Sequence, residues 1–177
     1  MNVQETKEQL IAELIRLAFA EDIGDGDHTT LCCIPATEMG KSQLIVKEDG
    51  VLAGVEMAER IFHTFDPDLK MTTFIHDGAE VKKGDIAFVV EGKVQSLLQT
   101  ERLMLNVMQR MSGIATQTHE IVKRIEGCDT KLLDTRKTTP GVRLLEKWAV
   151  KIGGGENHRF ALYDMVMLKD NHNDFAG

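Results

Sequence analysis

The residues best equipped for chemistry lie in the last third of the chain, and they are cations. Arg136 and Lys137 follow a short apolar segment. His158 and Arg159 follow Gly153-Gly154-Gly155. Lys169 and His172 follow a second apolar segment, Met165-Val166-Met167-Leu168. In α/β folds, ligands bind beyond the carboxyl ends of the strands. Guanidinium forks and ammonium groups collected there suit a small, multiply charged anion. Physical chemistry alone leaves two ligand classes open, a phosphate-bearing compound and a di-acid. Residues 131–172 hold more basic than acidic side chains, although the whole chain carries a net charge of −7.

The same stretch contains cations with an ordinary explanation. Arg143, Lys147 and Lys151 fall on a helical segment and are expected to be solvated surface. The three glycines are expected to form a turn, since glycine runs alone are a weak sign of a phosphate-binding loop.

Elements must place these residues. Leu10, Ile11, Leu14, Ile15, Ala18 and Phe19 recur at three-and-four spacing, which predicts a helix over 4–20. The Gly- and Asp-rich segment 21–27 ends it, and His28 and Thr29 are expected in a loop. Strands are predicted at 43–46, 71–75 and 86–90, with turns at Asp77-Gly78 and Lys83-Gly84-Asp85. A short helix is predicted over 54–64. A long helix follows, capped by Ser96, with a break or bend at Ser112-Gly113 and a stop at Gly127. After residue 130 the pattern becomes α/β. Residues 131–135 read as a short buried strand, Pro140 opens a helix, and 165–168 read as another strand.

Composition removes several classes. Apolar residues are 42% and charged residues 28% of the 177, as in ordinary globular proteins. The longest wholly apolar run is Ile86–Val90, far short of the roughly 20 residues a membrane helix needs. The N-terminus lacks the basic-then-apolar build of a secretory signal, so a cytoplasmic protein is expected. Net acidity argues against nucleic-acid binding. Cys32, Cys33 and Cys128 offer no zinc-ligand spacing and are expected to be core or loop thiols. The segment Asp77–Asp85 is similar to the turn of biotinyl or lipoyl carrier modules, but no lysine stands in a carrier setting. Twelve-residue counts from Asp22 and Asp25 reach Cys33 and Ala36, not the glutamate a calcium loop requires.

Longer motifs point further. Leu133-Asp134-Thr135-Arg136-Lys137-Thr138-Thr139-Pro140-Gly141, Gly153-Gly154-Gly155-Glu156-Asn157-His158-Arg159 and Leu168-Lys169-Asp170-Asn171-His172 resemble the quinolinate phosphoribosyltransferase family. So do Glu101–Asn106, Met111–Thr116 and the opening loop Glu21–Gly24 with Gly26, Asp27 and Thr29. The matches run in order along nearly the whole chain.

The resemblance implies an α+β N-terminal sandwich domain, residues 1–112, followed by an incomplete α/β barrel, residues 113–177. It implies transfer of phosphoribosyl from phosphoribosyl pyrophosphate to quinolinate with decarboxylation, giving nicotinate mononucleotide in NAD biosynthesis, with Mg²⁺ required. Arg136, His158 and Arg159 would bind quinolinate. Lys137 and Lys169 would be the catalytic cations, serving the carboxylates and the sugar-phosphate side. Arg102 would reach the site of a neighbouring subunit, because the family builds its site across a dimer. The acidic metal ligands and the phosphate-binding loops belong to later barrel strands. The stretch after residue 130 has room for about two βα units, whereas a closed eight-unit barrel takes roughly 250 residues. A truncated product or a fragment is therefore expected, with the quinolinate side of the site present, the phosphoribosyl side lacking and apolar strand edges exposed. The alternative to an active enzyme is an inactive remnant that folds and oligomerises, or only binds a small dicarboxylate.

Overall fold

A three-stranded antiparallel sheet and one 31-residue helix form the scaffold of the structure. The computed structural model describes residues 3–176. In chain order the elements are α1 (Val3–Asp22), α2 (His28–Cys33), β1 (Met39–Ile45), β2 (Gly50–Val51), α3 (Val55–Phe65), β3 (Lys70–Thr73), β4 (Glu80–Val81), β5 (Ile86–Lys93), α4 (Val94–Arg124), α5 (Arg143–Ile152) and α6 (Asp170–Ala176).

Strand β5 is central. It pairs antiparallel with β1 on one edge and β3 on the other, so Val89 lies opposite both Gln43 and Thr72. Its residues Ala87 to Val90 are all buried, which is why this strand alone reads as a continuous apolar run. β2 and β4 form a separate two-stranded ladder. Helix α3 lays Val55, Met57, Ala58, Ile61 and Phe62 on the core. Phe62 meets Phe88 of β5 edge-on at 6.2 Å, an arrangement worth about 0.5–1.5 kcal/mol beyond the area it buries. The α3 N-terminus is capped from a distance: Asp77 accepts from the Val55 and Glu56 amides at 2.8 and 3.1 Å.

Helix α4 passes through Ser112-Gly113 without interruption. A glycine in a helix costs about 1 kcal/mol relative to alanine. The buried stripe from Leu97 to Thr118 on both sides of it outweighs that. The Ser112 hydroxyl is occupied with the Ala53 amide and carbonyl, both at 3.0 Å, and so ties the helix to the chain entering α3. Ser96 is not the cap. Lys93 holds that position, and the Ser96 hydroxyl donates to Asp66 at 2.6 Å. His28 and Thr29, expected in a loop, instead open the one-and-a-half-turn helix α2, started by the Asp27 carboxylate accepting from the Thr30 amide at 3.0 Å. All three cysteines are free and exposed, with Cys32 and Cys33 at the end of α2.

The two strands expected after residue 130 are not formed. One parallel bridge, Leu133 with Glu156, is all that represents them, and Leu133 is 47% exposed. Residues 165–168 form no strand and are exposed. Parallel strands are stable when flanked on both edges and covered on both faces. Here one bridge is the only pairing between the two segments, and Leu133 stays exposed. The predicted helix begins at Arg143, three residues after Pro140, and packs its Leu145 and Ala149 against α4.

Candidate functional site

The single parallel bridge is small, but it sets the site. The Asp134 amide donates to the Glu156 carbonyl at 3.1 Å, and the Glu156 amide donates to the Leu132 carbonyl at 2.8 Å. Two chain segments therefore run side by side in the same direction. Two residues beyond the pairing, one leads to Arg136 and Lys137 and the other to His158 and Arg159. Sequence-distant cations emerge at one common end.

A buried ion pair sits underneath. Lys147 of α5 and Asp134 are ion-paired, with side chains 3% and 6% exposed. Asp134 Oδ1 also accepts the His158 amide at 2.9 Å. The surrounding donors and acceptors place the Asn157 amide nitrogen inward, donating to Asp134 Oδ2 at 2.7 Å and to the Lys147 carbonyl at 2.8 Å. Lys147 is thus no solvated surface lysine. It answers the buried Asp134 carboxylate, which would otherwise stand uncompensated away from water.

The site residues differ in setting. Arg136 is half-buried, and its Nε is enclosed without a hydrogen-bond partner. An enclosed donor left unpaired is rare and costly, and it matches the acceptor of a ligand. Arg159 is 7% exposed, and one guanidinium nitrogen donates to the Met165 carbonyl at 3.1 Å. His158 is half-buried, and its Nδ1 accepts the Arg159 amide at 2.7 Å. In the neutral ring the proton therefore sits on Nε2, leaving a donor for an anion. Lys137 is exposed, its amide donating to the Thr135 hydroxyl at 3.0 Å. Lys169 is exposed beyond the unpaired segment, its amide donating to His172 Nδ1 at 3.0 Å. Arg136, Lys137, His158 and Arg159 are brought together by the bridge. Lys169 lies four residues beyond Met165, whose carbonyl accepts from Arg159.

Arg102 is elsewhere. It is exposed on α4 and lines a cleft of about 750 Å³ between that helix and residues 44–52, with Leu105, Gln109 and Ser112. Arg110, roughly 12 Å further along the helix, is the α4 residue that touches the site loop. Its guanidinium reaches Glu146 (2.9 Å from Nε) and the Thr139 hydroxyl (2.7 Å). Glu146 accepts the Thr139 amide at 3.1 Å. Burial pushes the Glu146 carboxyl up, but the hydrogen bonds from Arg110 and Thr139 prevail and hold it below the ordinary range. Arg143 closes the arrangement, donating to the Thr138 hydroxyl at 3.0 Å and to the Phe160 carbonyl at 3.2 Å, one on each arm. Sequence reading missed Arg110, Asp134, Glu146 and Asn157, because what they do is hold other residues.

The glycines after α5 serve packing and turning. A Cβ on Gly153 would stand 2.4 Å from the Ala115 carbonyl and 2.8 Å from Thr118 Cβ, so α4 and α5 meet across a hydrogen atom. Gly154 turns the chain with φ +91°.

Among the described residues, no group of three His, Cys, Asp or Glu side chains could hold a metal ion. No helix among the described residues is long and apolar enough to cross a membrane.

Comparison with known proteins gives the family. The family model for the quinolinate phosphoribosyl transferase N-terminal domain matches residues 27–112, and that for the C-terminal domain matches residues 114–177. Quinolinate phosphoribosyltransferase (decarboxylating) 1b of Nicotiana tabacum is 50% identical over 165 residues, which are 93% of this chain and 47% of that protein. Nicotinate-nucleotide pyrophosphorylase (carboxylating), chloroplastic, of Oryza sativa subsp. japonica is 49% identical over 166 residues, 93% of this chain and 44% of that one. The crystal structure of NadC from Streptococcus pyogenes superposes with a TM-score of 0.89 at 40% identity, covering 94% of this chain and 59% of that chain. The chain thus spans about half the length of the curated relatives it matches. It belongs to the quinolinate phosphoribosyltransferase family.

Proposed function

We propose that this chain carries the quinolinate half of a phosphoribosyltransferase site and acts in the transfer of phosphoribosyl from phosphoribosyl pyrophosphate to quinolinate, with decarboxylation to nicotinate mononucleotide. The observation that carries the reading is the enclosed, unpartnered Arg136 Nε at the same chain end as buried Arg159 and His158. Quinolinate presents two adjacent carboxylates. The Arg136 and Arg159 forks take one carboxylate through paired, charge-assisted hydrogen bonds, and His158 Nε2–H helps hold the dicarboxylate. Lys137 and Lys169 meet the carboxylates and the sugar-phosphate side.

In this reading catalysis is positioning and electrostatics. The cations neutralise two polyanions that repel each other and aim the ring nitrogen at the ribose anomeric carbon. The N–C bond forms as the pyrophosphate C–O bond breaks. The adjacent carboxylate then leaves as carbon dioxide, its C–C electron pair stays on the ring carbon beside the positive nitrogen, and a proton from solvent water completes the new C–H bond. No side-chain nucleophile is needed.

Arg102 lines a cleft outside this cluster, and we assign it to the site of a partner subunit in a homodimer or higher oligomer. The three exposed free cysteines fit a reducing compartment such as the cytoplasm. A second reading, dicarboxylate binding without turnover, draws on the Arg136, His158 and Arg159 cluster, which accounts for carboxylate binding without any further group.

One experiment separates the two. The purified 177-residue chain is supplied with quinolinate, phosphoribosyl pyrophosphate and Mg²⁺, and nicotinate mononucleotide is followed by mass spectrometry, with Arg136→Ala as control. Product that vanishes in the variant supports transfer. Quinolinate binding without product supports the second reading, and absence of binding defeats both.

A further inference from the structure

We propose that Asp134, clamped by Lys147, is a positioning residue that fixes His158 and Arg159 relative to Arg136. The ligand part of this inference rests on the quinolinate-site reading above; the geometric part rests on the fold alone.

Asp134 belongs to the arm that carries Arg136, yet its carboxylate works on the other arm. Oδ1 accepts the His158 amide at 2.9 Å, and Oδ2 faces the Asn157 amide nitrogen at 2.7 Å. Both neighbours immediately precede Arg159. One carboxylate therefore joins the two segments just where their cations begin, two residues past the lone backbone bridge. With no ladder to extend that bridge, side-chain bonds must supply the alignment that further strand pairing would supply elsewhere. The carboxylate is nearly excluded from water, so it needs a cation, and Lys147 supplies one from α5. α5 is itself pressed on α4 at Gly153. The chain of contacts runs α4, α5, Lys147, Asp134, His158. Asp134 touches no ligand in this arrangement; it sets where the imidazole and guanidinium stand.

The test uses the full chain and two double variants that leave no unpaired buried charge. Asp134→Ala with Lys147→Met deletes the acceptor. Asp134→Asn with Lys147→Met restores a carbonyl oxygen at the same place. Residue-resolved amide hydrogen exchange by NMR reads geometry without a ligand, and calorimetric titration reads quinolinate affinity. In the Ala/Met variant the His158 amide is expected to exchange at least 100-fold faster while Met104–Met111 of α4 stay protected, and quinolinate is expected to bind at least 10-fold more weakly. The Asn/Met variant is expected to recover most of both. A structural role alone would not make the Asn/Met variant differ from Ala/Met in the affinity of folded chain. Unchanged His158 exchange in a folded Ala/Met variant overturns the inference, and so does native quinolinate affinity there. If the native chain binds no quinolinate, the function reading has failed, and the exchange readout still decides the positioning claim.

Discussion

Lys147 and Asp134 form an ion pair whose two side chains are almost fully withdrawn from water, although one sits on a helix and the other at the end of an irregular segment. Removing one partner of such a pair strands a charge in the interior. Lys147→Met is expected to cost about 3–5 kcal/mol of folding stability, whereas Lys147→Met with Asp134→Leu is expected to be nearly neutral. Urea unfolding of the two variants beside the native chain checks this. Equal losses in both would mean that packing, not charge pairing, governs the position.

The Arg110–Glu146–Thr139 contact braces the loop holding Arg136 and Lys137 against α4. Arg110→Ala is expected to cost roughly 1 kcal/mol, typical of a net hydrogen-bond contribution. Its clearest effect should be faster amide exchange at Thr139 with unchanged exchange in β5. A loop as protected as in the native chain would remove Arg110 from this role.

Gly153→Ala places a methyl 2.4 Å from the Ala115 carbonyl. Backbone cannot yield as a flexible side chain would, so α5 must shift away from α4. Overpacking of this kind costs about 1–3 kcal/mol. Thermal unfolding should show the loss. Gly113→Ala, with open space around its Cβ, should instead hold or raise the melting temperature.

Glu80 is held by Lys123 and His119 of α4, and the hydrogen bonds from these two lower its carboxyl from the ordinary 4.5 to about 2. A carboxylate depressed in the folded state contributes stability above its unfolded value and loses it as pH falls through the folded one. The melting-temperature gap between native chain and Glu80→Gln should therefore be open at pH 6, narrow below pH 4.5 and close near pH 2. The group is exposed, so the gap should be small and shrink further in high salt. A gap that widens toward acid would refute the pairing.

Arg102→Ala should weaken quinolinate binding only where the chain self-associates. Titrations above and below the association concentration, checked by analytical ultracentrifugation, decide it. An equal loss in the monomer would place Arg102 in its own chain's site.

The sequence by itself determined the elements that periodicity governs. The apolar stripes of α1, α3 and α4 and the apolar run of β5 are visible because a helix or strand repeats its buried face at a fixed interval. The position of Arg136, Lys137, His158 and Arg159 just after their segments could be read too, since it follows from the order of residues along the chain. Tertiary structure decided the rest. Whether 131–135 and 165–168 became strands depended on neighbours those segments do not contain, since parallel strands are stable when packed among partners. Whether Gly113 broke α4 depended on core packing on both sides of it. Whether Lys147 was surface or interior depended on Asp134, thirteen residues away in sequence and in contact only after folding. A helical wheel reports which side chains share a face. It does not report what that face meets, and for a charged residue the partner decides between solvent and a buried ion pair.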